Sequence, residues 1–175
     1  MINKALLVAA TLLASTYAAA AAPWLHVRES VTIDASAGKV WKAVKDFNSL
    51  NTWHPAVAKD EIVEGTNNTV GAVRLLTLKD GGTIKEKLLA FNEAGHKYRY
   101  SILEGVIPVS DYTSILTVVS AGKGKARVTW SGHFHRKNTG ASPADNENDK
   151  TAADAITGVY KGGLDNLKKM MEGGA

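Results

Sequence analysis

Cysteine is absent from this sequence. That excludes disulfides, thiolate metal centres and a cysteine nucleophile, so the fold has to hold on packing and hydrogen bonds alone. An excess of one charge sign is also missing: 21 Lys and Arg stand against 17 Asp and Glu, a formal net charge of +4. Acids and bases are interleaved rather than clustered, which does not make the basic stripe that nucleic-acid recognition requires. The signatures of nucleotide and hydrolytic chemistry are missing too: no Walker loop, no Gly-x-Gly-x-x-Gly after a strand, no Gly-x-Ser-x-Gly elbow and no His-Glu-x-x-His. Collagen, a coiled coil and a disordered tail are excluded by composition, with 45% hydrophobic and 22% charged residues.

What is present begins with an address. The first residues carry one early cation, Lys4, then an apolar run over residues 5–14, then small residues ending in alanines. This is the layout of a secretory signal peptide, and the run falls short of the ~20 residues that span a bilayer. Cleavage after Ala20 or Ala21 is expected, since Pro23 is a poor residue directly after a scissile bond. Residues 1–21 are therefore assigned as signal peptide and residues 22–175 as one exported domain, periplasmic and without a membrane anchor after cleavage.

Within that domain, residues 25–34 alternate, with Val27, Val31 and Ile33 on one face, which predicts a half-buried strand. Asp34 or Ser36 is placed to cap a helix carrying Val40, Trp41, Val44 and Phe47 at helical spacing. A second short helix over residues 48–53 is stopped by Pro55. Strands are predicted over residues 60–65, 71–78, 83–92, 96–103, 109–119 and 126–136, with Asp80-Gly81 and Gly122-Lys123-Gly124 as hairpin turns. Residues 137–148 read as a polar surface loop. The chain closes on a helix over residues 150–171 with an apolar stripe of Ala152, Ile156, Val159, Tyr160, Leu164, Leu167 and Met171. Thr151 and Asp154 loosely resemble a capping box, with aspartate in place of Glu or Gln. Sequential strands make an antiparallel sheet whose apolar face must be covered, and the last helix is the only element long enough to cover it. A curved sheet around one helix leaves a cavity between them.

Several segments, in order, carry a resemblance: Val40-Trp41, Phe47, Trp53-His54-Pro55, Gly71-Ala72-Val73-Arg74, Asp80-Gly81-Gly82, Glu86-Lys87-Leu88 and Tyr112-Thr113-Ser114. Together they resemble the START/Bet v 1-like superfamily, more narrowly its polyketide cyclase/dehydrase-type ligand-binding proteins. Export combined with Trp-His-Pro after the first helix pair resembles the periplasmic methanol-oxidation accessory proteins of the MxaD type. The resemblance runs from Val27 to Met171. It implies an α+β helix-grip fold: a curved antiparallel sheet of about seven strands around a long C-terminal helix, with two short helices after the first strand. It also implies a non-enzymatic role with no cofactor, with methanol dehydrogenase and its cytochrome c as partners and a small hydrophobic molecule as ligand. Two other readings stay open: a carrier or sensor of a small amphipathic molecule, and a cyclase or dehydratase acting through Tyr100, Tyr112 or His54.

Strand parity assigns the inward face to Arg74, Leu76 and Leu78; to Ile84, Glu86, Leu88 and Ala90; to Tyr98, Tyr100 and Ile102; to Tyr112, Ser114, Leu116 and Val118; and to Val128, Trp130 and Phe134. The resemblance places ligand contacts at Glu86, Tyr100, Tyr112, Ser114 and Trp130. Ile156 and Tyr160 form the lid, Trp53 and His54 stand at the mouth, and Arg74 and Leu76 complete the eleven residues expected to form the ligand site. Gly158, Gly162 and Gly163 cost helix stability, which a close approach to the sheet or a bend would explain. Arg74 and Glu86 form either a self-satisfied ion pair or a device that orients a ligand carboxylate or carbonyl. Tyr100 and Tyr112 either donate hydrogen bonds to a ligand or are core tyrosines. His54 has the pKa of a general base, but no orienting partner is evident, so a gating or structural role is expected and no catalytic residue is assigned. His133 and His135 share an outer strand face without a third ligand, so no metal site is expected. Asn67-Asn68-Thr69 is a formal glycosylation sequon of a kind frequent by chance. Residues 145–149 read as a solvated acidic turn rather than a calcium loop.

Overall fold

Alternation over residues 25–33 builds β1 (Leu25–Ile33) in the computed structural model, which describes residues 22–173. The segment read as a signal peptide lies outside the described residues. Ser36 caps α1 (Ala37–Val44), its side chain accepting from the Lys39 N–H at 3.4 Å, and the helix buries Val40, Trp41 and Val44. α2 (Leu50–Trp53) ends at His54, whose extended backbone (φ −97°, ψ 116°) is the conformation that Pro55 imposes on its predecessor. Then follow β2 (Val57–Glu64), β3 (Val73–Leu78), β4 (Thr83–Asn92), β5 (Lys97–Gly105), β6 (Val109–Ser120), β7 (Ala126–Arg136), a 3-10 turn (Asp145–Glu147) and α3 (Asp149–Gly173).

The seven strands form one antiparallel sheet in the order β1-β7-β6-β5-β4-β3-β2. Six of them make a meander, and β1, first in the chain, closes onto β7, last of the strands. The hairpin turns fall where turn chemistry places them: Gly81 has φ 89° after Asp80, and Lys123 (φ 47°) lies between Gly122 and Gly124. α3 packs mainly along β1 and β7, which leaves the concave face of β3 to β6 partly uncovered by it. Both ends of α3 are tied. At its C-terminal end Lys168 donates to the Thr32 carbonyl at 2.7 Å and Glu172 accepts from the Asp34 N–H at 2.8 Å. At its start Asp149 pairs with the buried Arg136, which also donates to the carbonyls of Asn138 and Gly140, each at 2.7 Å, and so organises the polar loop.

The structure departs from expectation at three places. β2 begins at Val57, three residues before the predicted start at Asp60, because buried Val57 pairs with Leu78; register shifts after Val57 and Ile62 break the alternation there. A bulge between Leu88 and Ala90 turns Ala90 outward and brings Phe91 against the core, so Ala90 leaves the face that parity gave it. The cap of α3 is Asn148, not Thr151: the Asn148 side chain accepts from the Thr151 N–H at 2.9 Å, while Asp154 is taken by Lys150 at 2.5 Å. Among the described residues no helix is long and apolar enough to cross a membrane.

Candidate ligand-binding site

Between the concave sheet, α2 and the middle of α3 lies a cavity of about 90 Å³. Its walls are apolar, from Leu50, Leu76, Ile84, Ile102, Ile107, Ile156 and Val159 among others, and its polar atoms come from Glu86, Tyr100, Tyr112 and His54. All eleven residues singled out from the sequence are buried, none more than 4% exposed. Seven line the cavity: His54, Leu76, Glu86, Tyr100, Tyr112, Trp130 and Ile156. Trp53, Arg74, Ser114 and Tyr160 stand behind that lining and position it. Trp53 packs on Trp130 with ring centroids 5.5 Å apart, and Trp130 stacks on Tyr160 at 4.6 Å. These large rings fill most of the space that a curved sheet would otherwise leave. The remaining volume is below the ~150 Å³ of a cavity that accepts benzene, and far below the ~300–1,000 Å³ of drug-sized sites.

Arg74 anchors one side. Its Nε donates to Glu86 Oε2 at 2.8 Å, and the terminal nitrogens reach the same oxygen at 2.6 Å and the Phe47 carbonyl at 2.7 Å. The guanidinium also lies 4.1 Å from the centre of the Phe47 ring and 3.3 Å from Asp60 Oδ2. Asp60, which also accepts from the Leu50 N–H at 2.8 Å, is a second buried carboxylate that parity reasoning did not find. Its signal was hidden by the register shifts of β2, which set Asp60 opposite inward-facing Leu76. Two carboxylates facing one guanidinium leave the group one negative charge in excess. Burial, only partly offset by Arg74, pushes both carboxyls above their ordinary range. Burial also opposes the charge on Arg74, but Glu86 and Asp60 outweigh it and hold the guanidinium charged. Because both contacts from Arg74 to Glu86 fall on Oε2, Oε1 is left to the cavity.

The hydroxyl groups on the other side form a chain whose direction is forced by its ends. Ser114 Oγ donates to the Ser131 carbonyl at 3.0 Å, which can only accept. With that proton committed, Tyr160 must donate to Ser114 at 2.9 Å, and Tyr112 must donate to Tyr160 at 2.5 Å. At the other end the Trp130 indole, a donor only, gives its N–H to the Tyr100 oxygen at 3.0 Å. The Tyr100 proton is then left with the Tyr112 oxygen, 3.5 Å away, the longest link in the chain. Tyr100 therefore presents a weakly committed O–H donor at the cavity wall. Burial raises all three phenols well above their ordinary pKa, so they act as neutral donors rather than bases. A Cβ at Gly132 would overlap the Tyr160 hydroxyl, so glycine there is what lets this chain reach the sheet.

His54 has no free nitrogen. Nδ1 accepts from the Ala56 N–H at 3.2 Å, which places the ring proton on Nε2, where it is donated to the Val159 carbonyl at 2.9 Å. Burial pushes its pKa down, with the Val159 bond working the other way. The ring clasps α3 to the α2–β2 connection and contributes a cavity wall. Gly163 is part of the same contact, since a Cβ there would stand 2.6 Å from His54 Cδ2 and 3.0 Å from Trp130. Close approach thus explains Gly163. It does not explain Gly158 or Gly162, where a Cβ would meet nothing within 4 Å.

His133 and His135 do lie on the outer face, as parity placed them, but pairing of β1 with β7 sets His26 opposite His133. Among the described residues no three His, Asp or Glu side chains converge as a metal set. Asn67 and Asn68 of the sequon are engaged internally, Asn67 donating to Asp46 at 2.6 Å and Asn68 accepting from the Phe47 N–H at 2.8 Å.

The family model for polyketide cyclase / dehydrase and lipid transport proteins matches residues 25–172. Among solved structures, the protein XoxI from Bacillus cereus is 32% identical, with a TM-score of 0.74 over 84% of this chain and 95% of that one. A protein from Bacillus thuringiensis is also 32% identical, with a TM-score of 0.74 over 85% and 99% of the two chains. Ara h 8.0201, at 23% identity and a TM-score of 0.67 over 86% and 99%, shares the fold.

Proposed function

Because the chain belongs to the polyketide cyclase / dehydrase and lipid transport family, we propose that it is a non-catalytic binding protein whose cavity takes one small, compact molecule. The observation that carries this reading is the Tyr100 O–H, held in an apolar wall with only a 3.5 Å partner and facing the same cavity as the second oxygen of Glu86. A buried donor with so long a bond gains by meeting a carbonyl or hydroxyl oxygen. The ligand is smaller than a benzene derivative, apolar on most of its surface, and carries one oxygen. Polyketide-sized substrates exceed the space, and with both nitrogens of His54 engaged and the phenols held neutral, Glu86 is the one ionisable group of the cavity wall left to accept a proton.

The finer reading is that the protein is exported and serves as a periplasmic accessory of methanol oxidation, supporting transfer between methanol dehydrogenase and its cytochrome c. The leader-like N-terminus and the Trp53-His54-Pro55 segment support it. Binding is tested by ligand-observed NMR with acetone and its apolar counterpart isobutene as probes. The ketone binds and loses affinity in Tyr100→Phe, whereas equal binding of both probes to wild type and variant removes the role given to Tyr100. The accessory role is tested by methanol-linked cytochrome reduction with purified components, which rises when this protein is added; an unchanged rate ends that reading. Cell fractionation with N-terminal sequencing tests export, with a mature end at Ala21 or Ala22.

A further inference from the structure

We propose that the outer face of the β1–β7 pair carries a divalent transition-metal site made by His26 and His133, with the indole of Trp24 as its wall. The two imidazoles come from different strands and are set opposite each other by the sheet register. Their Nδ1 atoms lie 3.2 Å apart. Two nitrogens at that separation, each ~2.0–2.1 Å from a zinc ion, subtend about 100° at the metal, close to the tetrahedral angle. An ion can therefore replace the shared proton between the rings without a change of backbone, leaving two positions for water or a partner's ligand.

The surroundings hold this pair in place. Trp24, 49% exposed, stacks on His133 with centroids 4.0 Å apart and lies against His135 at 3.8 Å. His135 turns its Nδ1 to the Pro23 carbonyl at 2.9 Å, and the indole between the two histidines keeps it from joining the same ion. The pair, rather than the His133-x-His135 repeat visible in the sequence, is thus the chelating unit. Neutral imidazoles favour zinc, nickel and copper over magnesium or calcium. The site lies on the face opposite the cavity and is independent of the ligand-binding reading.

The test uses the untagged mature protein titrated with Zn²⁺ by calorimetry, with ¹⁵N NMR of the imidazoles in parallel. One ion binds per chain, the Nδ1 resonances of His26 and His133 shift while those of His135 stay, and His26→Ala or His133→Ala each weakens binding at least ~10-fold, against less than ~3-fold for His135→Ala. The proposal is overturned if the His26→Ala/His133→Ala double variant keeps wild-type affinity within about twofold, or if no binding is seen below ~1 mM Zn²⁺. The wild-type imidazole shifts decide the matter without any variant: saturation with neither Nδ1 shifted also overturns it.

Discussion

Arg74 holds together three segments distant in sequence, reaching Glu86, Asp60 and the carbonyl of Phe47 from one buried guanidinium. Removing it strands two carboxylates in the core, so Arg74→Leu is expected to cost ~3–5 kcal/mol in urea unfolding at neutral pH. Glu86→Gln costs less, because the amide resembles the protonated acid and leaves Arg74 balanced by Asp60. The same groups predict two opposite pH dependences. Glu86 has its folded pKa raised, so the native state binds the proton more tightly than the unfolded chain. The stability of wild type relative to Glu86→Gln therefore rises as pH falls through the folded pKa, and levels off below ~4.3, the unfolded value. His54 has its folded pKa lowered, so the unfolded chain binds the proton first. Wild type relative to His54→Gln loses stability as pH falls below ~6.5, down to the folded pKa. Urea midpoints for the three proteins between pH 7.5 and 4 check both signs.

At the scale of elements, α3 shows how one residue type serves different ends. Gly163 gives way to His54 and Trp130, and Gly163→Ala is expected to destabilise by ~1–3 kcal/mol through overpacking. Gly158, exposed and with open space where a Cβ would stand, is expected to gain ~0.5–1 kcal/mol as alanine. Thermal melts of the two variants should move in opposite directions. The cap at the start of the helix is Asn148, so Asn148→Ala is expected to cost ~1 kcal/mol. Most of these elements were legible in the sequence. β4 and β7 fall on their predicted residues, and the helical stripe of Ile156, Tyr160, Leu164 and Leu167 is the buried face of α3. Alternation, turn residues and helical spacing are local, and local sterics decide them. Bulges are not legible in this way: the shift after Leu88 and the irregular register of β2 depend on the partner strand, which is why Ala90 was misplaced and Asp60 missed.

For the whole molecule, the closing of β1 onto β7 sets the curvature, and the curvature sets what the interior can hold. The concave face and most of the cavity residues followed from parity and resemblance. The volume did not, because it depends on how Trp53, Trp130 and Tyr160 stack against one another. Gly132→Ala would push the Tyr160 hydroxyl off the sheet and break the hydroxyl chain. In the acetone titration this variant is expected to weaken binding as Tyr100→Phe does, although residue 132 does not line the cavity. The order of elements, the antiparallel meander and, outside the bulges, the inward-facing apolar set belong to the sequence alone, since periodicity and turn chemistry need no knowledge of distant contacts. The third member of the buried charge cluster, the forced direction of the hydroxyl chain, the engagement of both His54 nitrogens and the meeting of His26 with His133 were decided only by tertiary structure. Each joins residues from separate segments, and their distances exist only once the sheet has closed and the helix has docked.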